Sequence, residues 1–220
     1  MYSRRALLLS ALAGVLMLFS AGGAQAANEQ EAKAFVERLG QDALDTMTVK
    51  GMTDQERAAR FRQLFTASVD MPEIARFVLG RYWRTASTEQ QQEFLKLFEE
   101  MVVLTWAGRF KDYGGDVVHQ VTNVSPDGER GVFVESVVKR EKQEPIGLQW
   151  RLRQPDGAFK VVDLIVGGSS MAITYRAEYA SVVQNNGGKI DGLLAAMRKK
   201  IAELQPQSGS ITAGAAAKAN

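Results

Sequence analysis

The chain has 220 residues, with 27 Lys and Arg against 25 Asp and Glu, one His and no Cys. The first 26 residues hold two of those cations, Arg4 and Arg5, and no acid, so the remainder balances 25 against 25. That balance argues against a nucleic-acid partner, which leaves a basic footprint, and the missing Cys excludes a disulfide scaffold, a thiol nucleophile and a lipid-modified Cys anchor.

Arg4 and Arg5 precede an uncharged stretch from Ala6 to Phe19, and Ala24-Gln25-Ala26 supplies the small residues of a cleavage site. The pattern is that of an export signal over residues 1–26, read by the general secretory route or, through Ser3-Arg4-Arg5, by the twin-arginine route, with the periplasm as destination. Its apolar run of about 14 residues is short of the roughly 20 that span a bilayer. Phe35, Val36, Leu39, Ala43, Leu44 and Met47 then keep helical spacing behind Asn28 as cap. Thr53 and Glu56 form a capping box for a second helix carrying Phe61, Leu64 and Phe65. Pro72 suits the first turn of a third helix, through Phe77 and Val78 and ended near Gly80. The fourth opens at Ser87 or Thr88 and runs to about Lys111. Its apolar residues Phe94, Leu97, Phe98, Met101, Val102, Leu104, Trp106 and Phe110 cover more than half its circumference, whereas a surface helix needs a stripe of about 100°. Such a helix must be covered from two sides.

After Gly114-Gly115 the apolar period falls to two. Asp116 to Val124 and Val132 to Lys139 read as a hairpin joined by Ser125-Pro126-Asp127-Gly128. A third strand puts Ile146, Leu148, Trp150 and Leu152 on one face and Gln149, Arg151 and Arg153 on the other. Pro155-Asp156-Gly157 turns into a fourth, Phe159 to Val166, with Val161 and Ile165 on one face and Val162, Leu164 and Val166 on the other. Ser169 or Ser170 caps a helix to about Gln184, and Ile190 to Leu204 forms the last. The expected fold is one α+β domain over 27–205: a helical part (28–112), a four-stranded antiparallel twisted sheet (116–167) and C-terminal helices (169–204). The Ala-, Gly- and Ser-rich residues 206–220 read as a disordered tail.

Groups that run catalysis or bind metals are scarce. His119 lies on a strand between Val118 and Gln120, where a lone His is more often structural than a general base. Pairing it with Asp163 is the best catalytic alternative, that of a small acid-base enzyme in a sheet-and-helix cone. Gly167-Gly168-Ser169-Ser170 reads as a tight turn and helix cap, lacking the Lys of a phosphate loop. Arg198-Lys199-Lys200 reads as a solvated helix face or a contact for an anionic partner. Arg81, Arg84, Arg109 and Lys111 flank apolar segments, as cations that snorkel over aromatic neighbours or meet a phosphate. No cofactor is expected.

Three runs carry a family resemblance: Ile74 to Arg84 with its Gly80-Arg81-Tyr82-Trp83-Arg84 core; Gln90 to Phe98, then Trp106-Ala107-Gly108-Arg109-Phe110 and Tyr113-Gly114-Gly115; and Val161 to Met171 followed by Tyr175-Arg176. Together they resemble the MlaC family, also called the toluene-tolerance (Ttg2D) family, over most of Met52 to Leu204. The resemblance implies a cone like that of nuclear transport factor 2, holding acyl chains between sheet and helices. It further implies a periplasmic carrier moving phospholipid between an outer-membrane lipoprotein-porin complex and an inner-membrane ABC transporter with its substrate-binding subunit. A hopanoid-linked branch keeps a polycyclic lipid as an alternative cargo, although the Gly80 to Arg84 run looks closer to the phospholipid branch. Trp106 stands where most relatives have Tyr.

Burial energetics agree with a lipid cargo. At about 0.8 kcal/mol per buried CH₂, a tail of roughly 15 methylenes gains on the order of 12 kcal/mol, against about 1 kcal/mol for a headgroup hydrogen bond. Apolar walls must dominate such a site. The expected wall residues are Phe77, Val78, Trp83, Phe98, Val102, Trp106, Phe110, Val134, Val138, Trp150, Leu152, Val162, Leu164, Val166 and Met171, with Arg81, Arg84 and Arg109 toward the headgroup. A loaded shuttle is expected to be monomeric. A non-enzymatic adaptor or chaperone with an apolar surface is the remaining class.

Overall fold

The computed structural model describes residues 20–109, 117–128, 131–141 and 143–205. Most of the expected export signal, Phe110, Lys111 and the expected tail lie outside the described residues. In chain order the elements are α1 (Ser20–Met47), α2 (Asp54–Ser68), α3 (Met71–Leu79), a 3₁₀ turn (Gly80–Arg84), α4 (Thr88–Arg109), β1 (Val118–Pro126), β2 (Gly131–Arg140), β3 (Gln143–Arg153), β4 (Lys160–Val166), β5 (Ser169–Ser170), α5 (Met171–Asn185) and α6 (Ile190–Leu204). None of these helices is long and apolar enough to cross a membrane.

Local chemistry sets most boundaries. The Glu56 amide donates to Thr53 Oγ1 at 3.2 Å and the Thr53 amide donates back to Glu56 at 2.9 Å, so the capping box opens α2. The backbone hydrogen bond from Thr53 holds the Glu56 carboxyl below its ordinary range. Asp70 caps α3 by accepting from the Glu73 amide, with Pro72 in the first turn. Ser87 and Gln90 exchange the same reciprocal bonds at the start of α4. Two expectations shift. α1 begins at Ser20, ahead of the expected Asn28 cap, because Ala24-Gln25-Ala26-Ala27 are good helix formers that extend the helix backwards. Gly80, at φ 56°, ends α3, yet the chain continues winding as the 3₁₀ turn.

The five strands lie in sequence order and all pair antiparallel. The fifth, beyond the four expected, arises because Gly167 and Gly168 both adopt positive φ (56° and 82°). That two-residue turn folds Ser169 back on Val166 and Ser170 on Ile165. Ser170 then caps α5, accepting from the Ile173 amide at 3.1 Å. Asp127, in the β1–β2 turn, accepts from Arg151 at 2.6 Å and Arg153 at 2.5 Å, fastening the turn to β3. The hydrogen bond from Arg151, with Arg153 adding to it, holds the Asp127 carboxyl below its ordinary range.

A register shift between β3 and β4 corrects the expected facing of β4. Trp150 pairs with Leu164 and Leu148 with Val166, but Leu152 pairs with Val161. The extra residue of this bulge breaks strict alternation, so Val161 joins Leu164 and Val166 on one face.

Two packed cores result. The first joins α3, α4, α5 and α6 through Val78, Leu79, Phe94, Phe98, Tyr179, Val183, Leu193, Leu194 and Met197. Phe94 and Phe98 stack at 5.6 Å, and Tyr179 meets both edge-on at 5.9 Å. The second packs Ala32 and Val36 of α1 onto Val132, Val134, Leu152, Phe159 and Val161 at one end of the sheet. Arg62 joins α2 to α4 through Glu99 and Glu100, at 2.7 and 2.5 Å, and Arg198 joins α6 to Glu93 of α4 at 2.6 Å. Arg198 of the basic triplet is therefore an interhelical strut.

Candidate functional site

Between the two cores lies a partly open cavity of about 330 Å³. It exceeds the roughly 150 Å³ apolar void that admits benzene and falls in the range of small-molecule sites. The unfilled end of the sheet supplies Val138, Ile146, Leu148, Trp150, Val161, Leu164 and Val166. Facing them are Leu39, Ala43 and Leu44 of α1, Phe61, Leu64 and Phe65 of α2, Val69, Met71 and Ile74, then Phe98, Val102 and Trp106 of α4 and Met171, Ala172 and Tyr175 at the start of α5. Among the described residues of this wall, only Arg109 and Asp163 carry a full charge.

Both charges are accounted for geometrically. Asp163 accepts from Ser170 Oγ at 2.5 Å and from the Ala172 amide at 3.0 Å, tying β4 to α5. Arg109 is exposed, its guanidinium 4.7 Å over the Trp106 ring. Burial pushes the Tyr175 phenol up, against the opposing effects of nearby Trp106 and of the Arg109 charge. Trp106, Arg109 and Tyr175 thus make one polar edge on a greasy chamber. Trp150 turns its indole N–H away from need of a ligand by donating to the buried Ser136 hydroxyl at 2.9 Å.

His119 sits on the wall with its ring edge-on to Trp150 at 6.2 Å, closed in by Gly40 of α1, where any Cβ would overlap the imidazole. Its Nε2 is buried and makes no hydrogen bond. The catalytic pairing with Asp163 is therefore not formed: the carboxylate serves Ser170 and Ala172, and Nε2 is sealed off. Burial lowers the His119 pKa from its ordinary 6.5, with Glu37 of α1 pulling weakly the other way. Since the native state refuses a proton that the unfolded chain accepts, this residue makes stability fall as pH drops below about 6.5, and the loss levels off below the depressed native pKa. Denaturant melts from about pH 7.5 to about pH 5 should show that decline in the native protein and a shallower one in His119→Phe. Identical slopes would refute the burial account.

Among residues expected on the wall from sequence, Phe98, Val102, Trp106, Val138, Trp150, Leu164, Val166 and Met171 lie on it, and Arg109 is at its edge. Others lie elsewhere. Val78 is inside the helical core, and Trp83 packs partly buried against that core. Val134 and Leu152 fill the sheet end covered by α1. Val162 is buried off the wall because of the β4 bulge. Phe77 is 40% exposed beneath Arg176, and Arg81 and Arg84 are exposed on the 3₁₀ turn, off the cavity. Phe110 is outside the described residues. The contributions of α1 and α2 were missed: their apolar stripes were visible at helical spacing, but nothing in a stripe says that it faces a void.

Fold and cavity define a class, the α+β proteins in which an antiparallel sheet and a helical layer enclose a partly open apolar chamber. The chain belongs to the MlaC family: the family profile described as MlaC protein matches residues 33–199. Its relatives include the intermembrane phospholipid transport system binding protein MlaC of Haemophilus influenzae, 25% identical over 131 residues, 57% of this chain and 59% of the relative. Another is the toluene tolerance protein ttg2D of Pseudomonas putida, 25% identical over 124 residues, 56% of this chain and 57% of the relative. The chain thus spans less than three fifths of the length of these curated relatives. A phospholipid-binding protein from Ralstonia solanacearum, solved at 1.53 Å in complex with a phospholipid, shares the fold with a TM-score of 0.73 at 24% identity, covering 80% of this chain and 99% of that one.

Proposed function

We propose that this chain is a periplasmic phospholipid carrier that hides acyl chains in the cavity between sheet and helices and leaves the headgroup at the Trp106–Arg109–Tyr175 edge. The observation that carries the reading is the apolar chamber of about 330 Å³ standing between two separately packed cores. Membership of the MlaC family and the phospholipid bound to the similarly folded Ralstonia protein support it. In this reading the chain is exported, exchanges lipid with an inner-membrane ABC transporter and its substrate-binding subunit, and meets an outer-membrane lipoprotein-porin complex. It performs no chemistry on its cargo, and transfer works by replacing one apolar environment with another. Protein expressed with its own signal and extracted into organic solvent should release phospholipid near one molecule per chain by mass spectrometry, and stripped protein should reload from phospholipid vesicles. A hopanoid in the extract would change the cargo; no lipid and no reloading would overturn the carrier.

A further inference from the structure

The surface behind the cavity carries an arrangement that lipid storage does not use. Ile173 is 60% exposed and Phe77 40% exposed. Ile173 and Arg176 are three residues apart on the same side of α5, and the Arg176 guanidinium lies 4.9 Å over the Phe77 ring of α3. Beyond Gly80, Arg81 lies 4.9 Å over the Tyr82 ring and donates to its hydroxyl at 2.8 Å, and Arg76 lies 5.9 Å over Trp83. Arg84 is exposed one 3₁₀ turn after Arg81. None of these four arginines pairs with a carboxylate among the described residues. The nearby acid of α3, Glu73, acts electrostatically on Arg151 of β3.

We infer that the outer face of α3, the 3₁₀ turn and α5 is a docking surface for an anionic phospholipid bilayer. Exposed apolar tips ringed by unpaired guanidiniums match the two requirements of an interfacial contact, insertion at the acyl boundary and attraction to negative headgroups. Charge complementarity fixes the sign of the partner, and the guanidiniums of Arg76, Arg81 and Arg176, each over an aromatic ring, are partly desolvated before contact. Tyr175, beside Arg176 in the chain, lines the cavity, so the face adjoins the site. The inference extends the carrier reading without requiring it, because a bilayer contact is scored separately from cargo.

The test is flotation of the full chain with vesicles of equimolar phosphatidylglycerol and phosphatidylcholine, and with vesicles of phosphatidylcholine alone. Binding should be roughly tenfold stronger or more to the anionic vesicles and should vanish near 1 M salt, where the Debye length is about 3 Å. Arg176→Glu and Ile173→Asp, each checked by thermal melting and by its extracted lipid, should lose that binding while keeping their cargo. Should either variant fail to fold, Arg84→Glu, at an exposed position with no ion pair among the described residues, takes its place. Equal binding to both vesicle types, undiminished binding by a folded variant, or no vesicle binding at all would overturn the inference; the last result would leave the face to an acidic protein. Loss of extracted lipid from the native chain would count against the carrier reading only.

Discussion

Replacing Leu148 by Asp should empty the protein of lipid while leaving it folded. Leu148 lies on β3 opposite Val166, half-buried, on the cavity wall and in neither packed core. In the empty state a carboxylate there is wetted through the open side of the chamber. Once acyl chains fill the space, the same carboxylate is stranded in hydrocarbon with no partner, at a cost of several kcal/mol. Even about 3 kcal/mol of selective penalty on the loaded state corresponds to roughly a hundredfold loss of affinity. Lipid per protein by mass spectrometry, read beside a melting curve, checks it. A folded variant that still carries a full load would mean that the cargo lies elsewhere.

The largest effect on stability should come from Phe98→Ala. Phe98 is 1% exposed, stacks on Phe94 at 5.6 Å and takes the edge of Tyr175 at 5.5 Å, while also forming part of the cavity wall. Its removal deletes a ring that two tyrosines and a phenylalanine use, and the site cannot collapse because a void already adjoins it. Truncations of buried Phe cost about 3–5 kcal/mol, which in a domain of this size lowers Tm by on the order of 10 °C. The half-exposed Phe77 gives the contrast, with an expected cost from Phe77→Ala well below that of Phe98. Scanning calorimetry of the two variants decides; equal melting temperatures would show that the α4 stack is not a core.

These contrasts also mark where the sequence was readable. Punctuation was local and therefore legible: Thr53 with Glu56, Pro72, Ser87 and the Gly167-Gly168-Ser170 run each act through bonds within a few residues. The wide apolar girth of α4 correctly required cover on two sides, given by α6 and α2 around the helix and by the chamber facing the sheet. The resemblance carried by Gly80 to Arg84 and Val161 to Met171 pointed to the family that the profile match shows. What escaped was set at long range. Whether Val134 or Val138 met filling or space depended on how far α1 reaches along the sheet, which no residue of β2 encodes. Val161 and Val162 exchanged places through a bulge that a period of two cannot announce. Ile146 and Leu148 were read on the same strand face as Trp150 yet left off the expected wall, because a strand face does not tell which of its ends is empty.

That the void separates two independently packed bodies governs how the molecule can breathe. Each half has its own interlocked interior, so guests of different thickness should be met by sliding of whole layers instead of by repacking of individual side chains. Asp163 of β4 accepts from Ser170 Oγ and from the Ala172 amide at the start of α5, so it ties the two halves together at that seam.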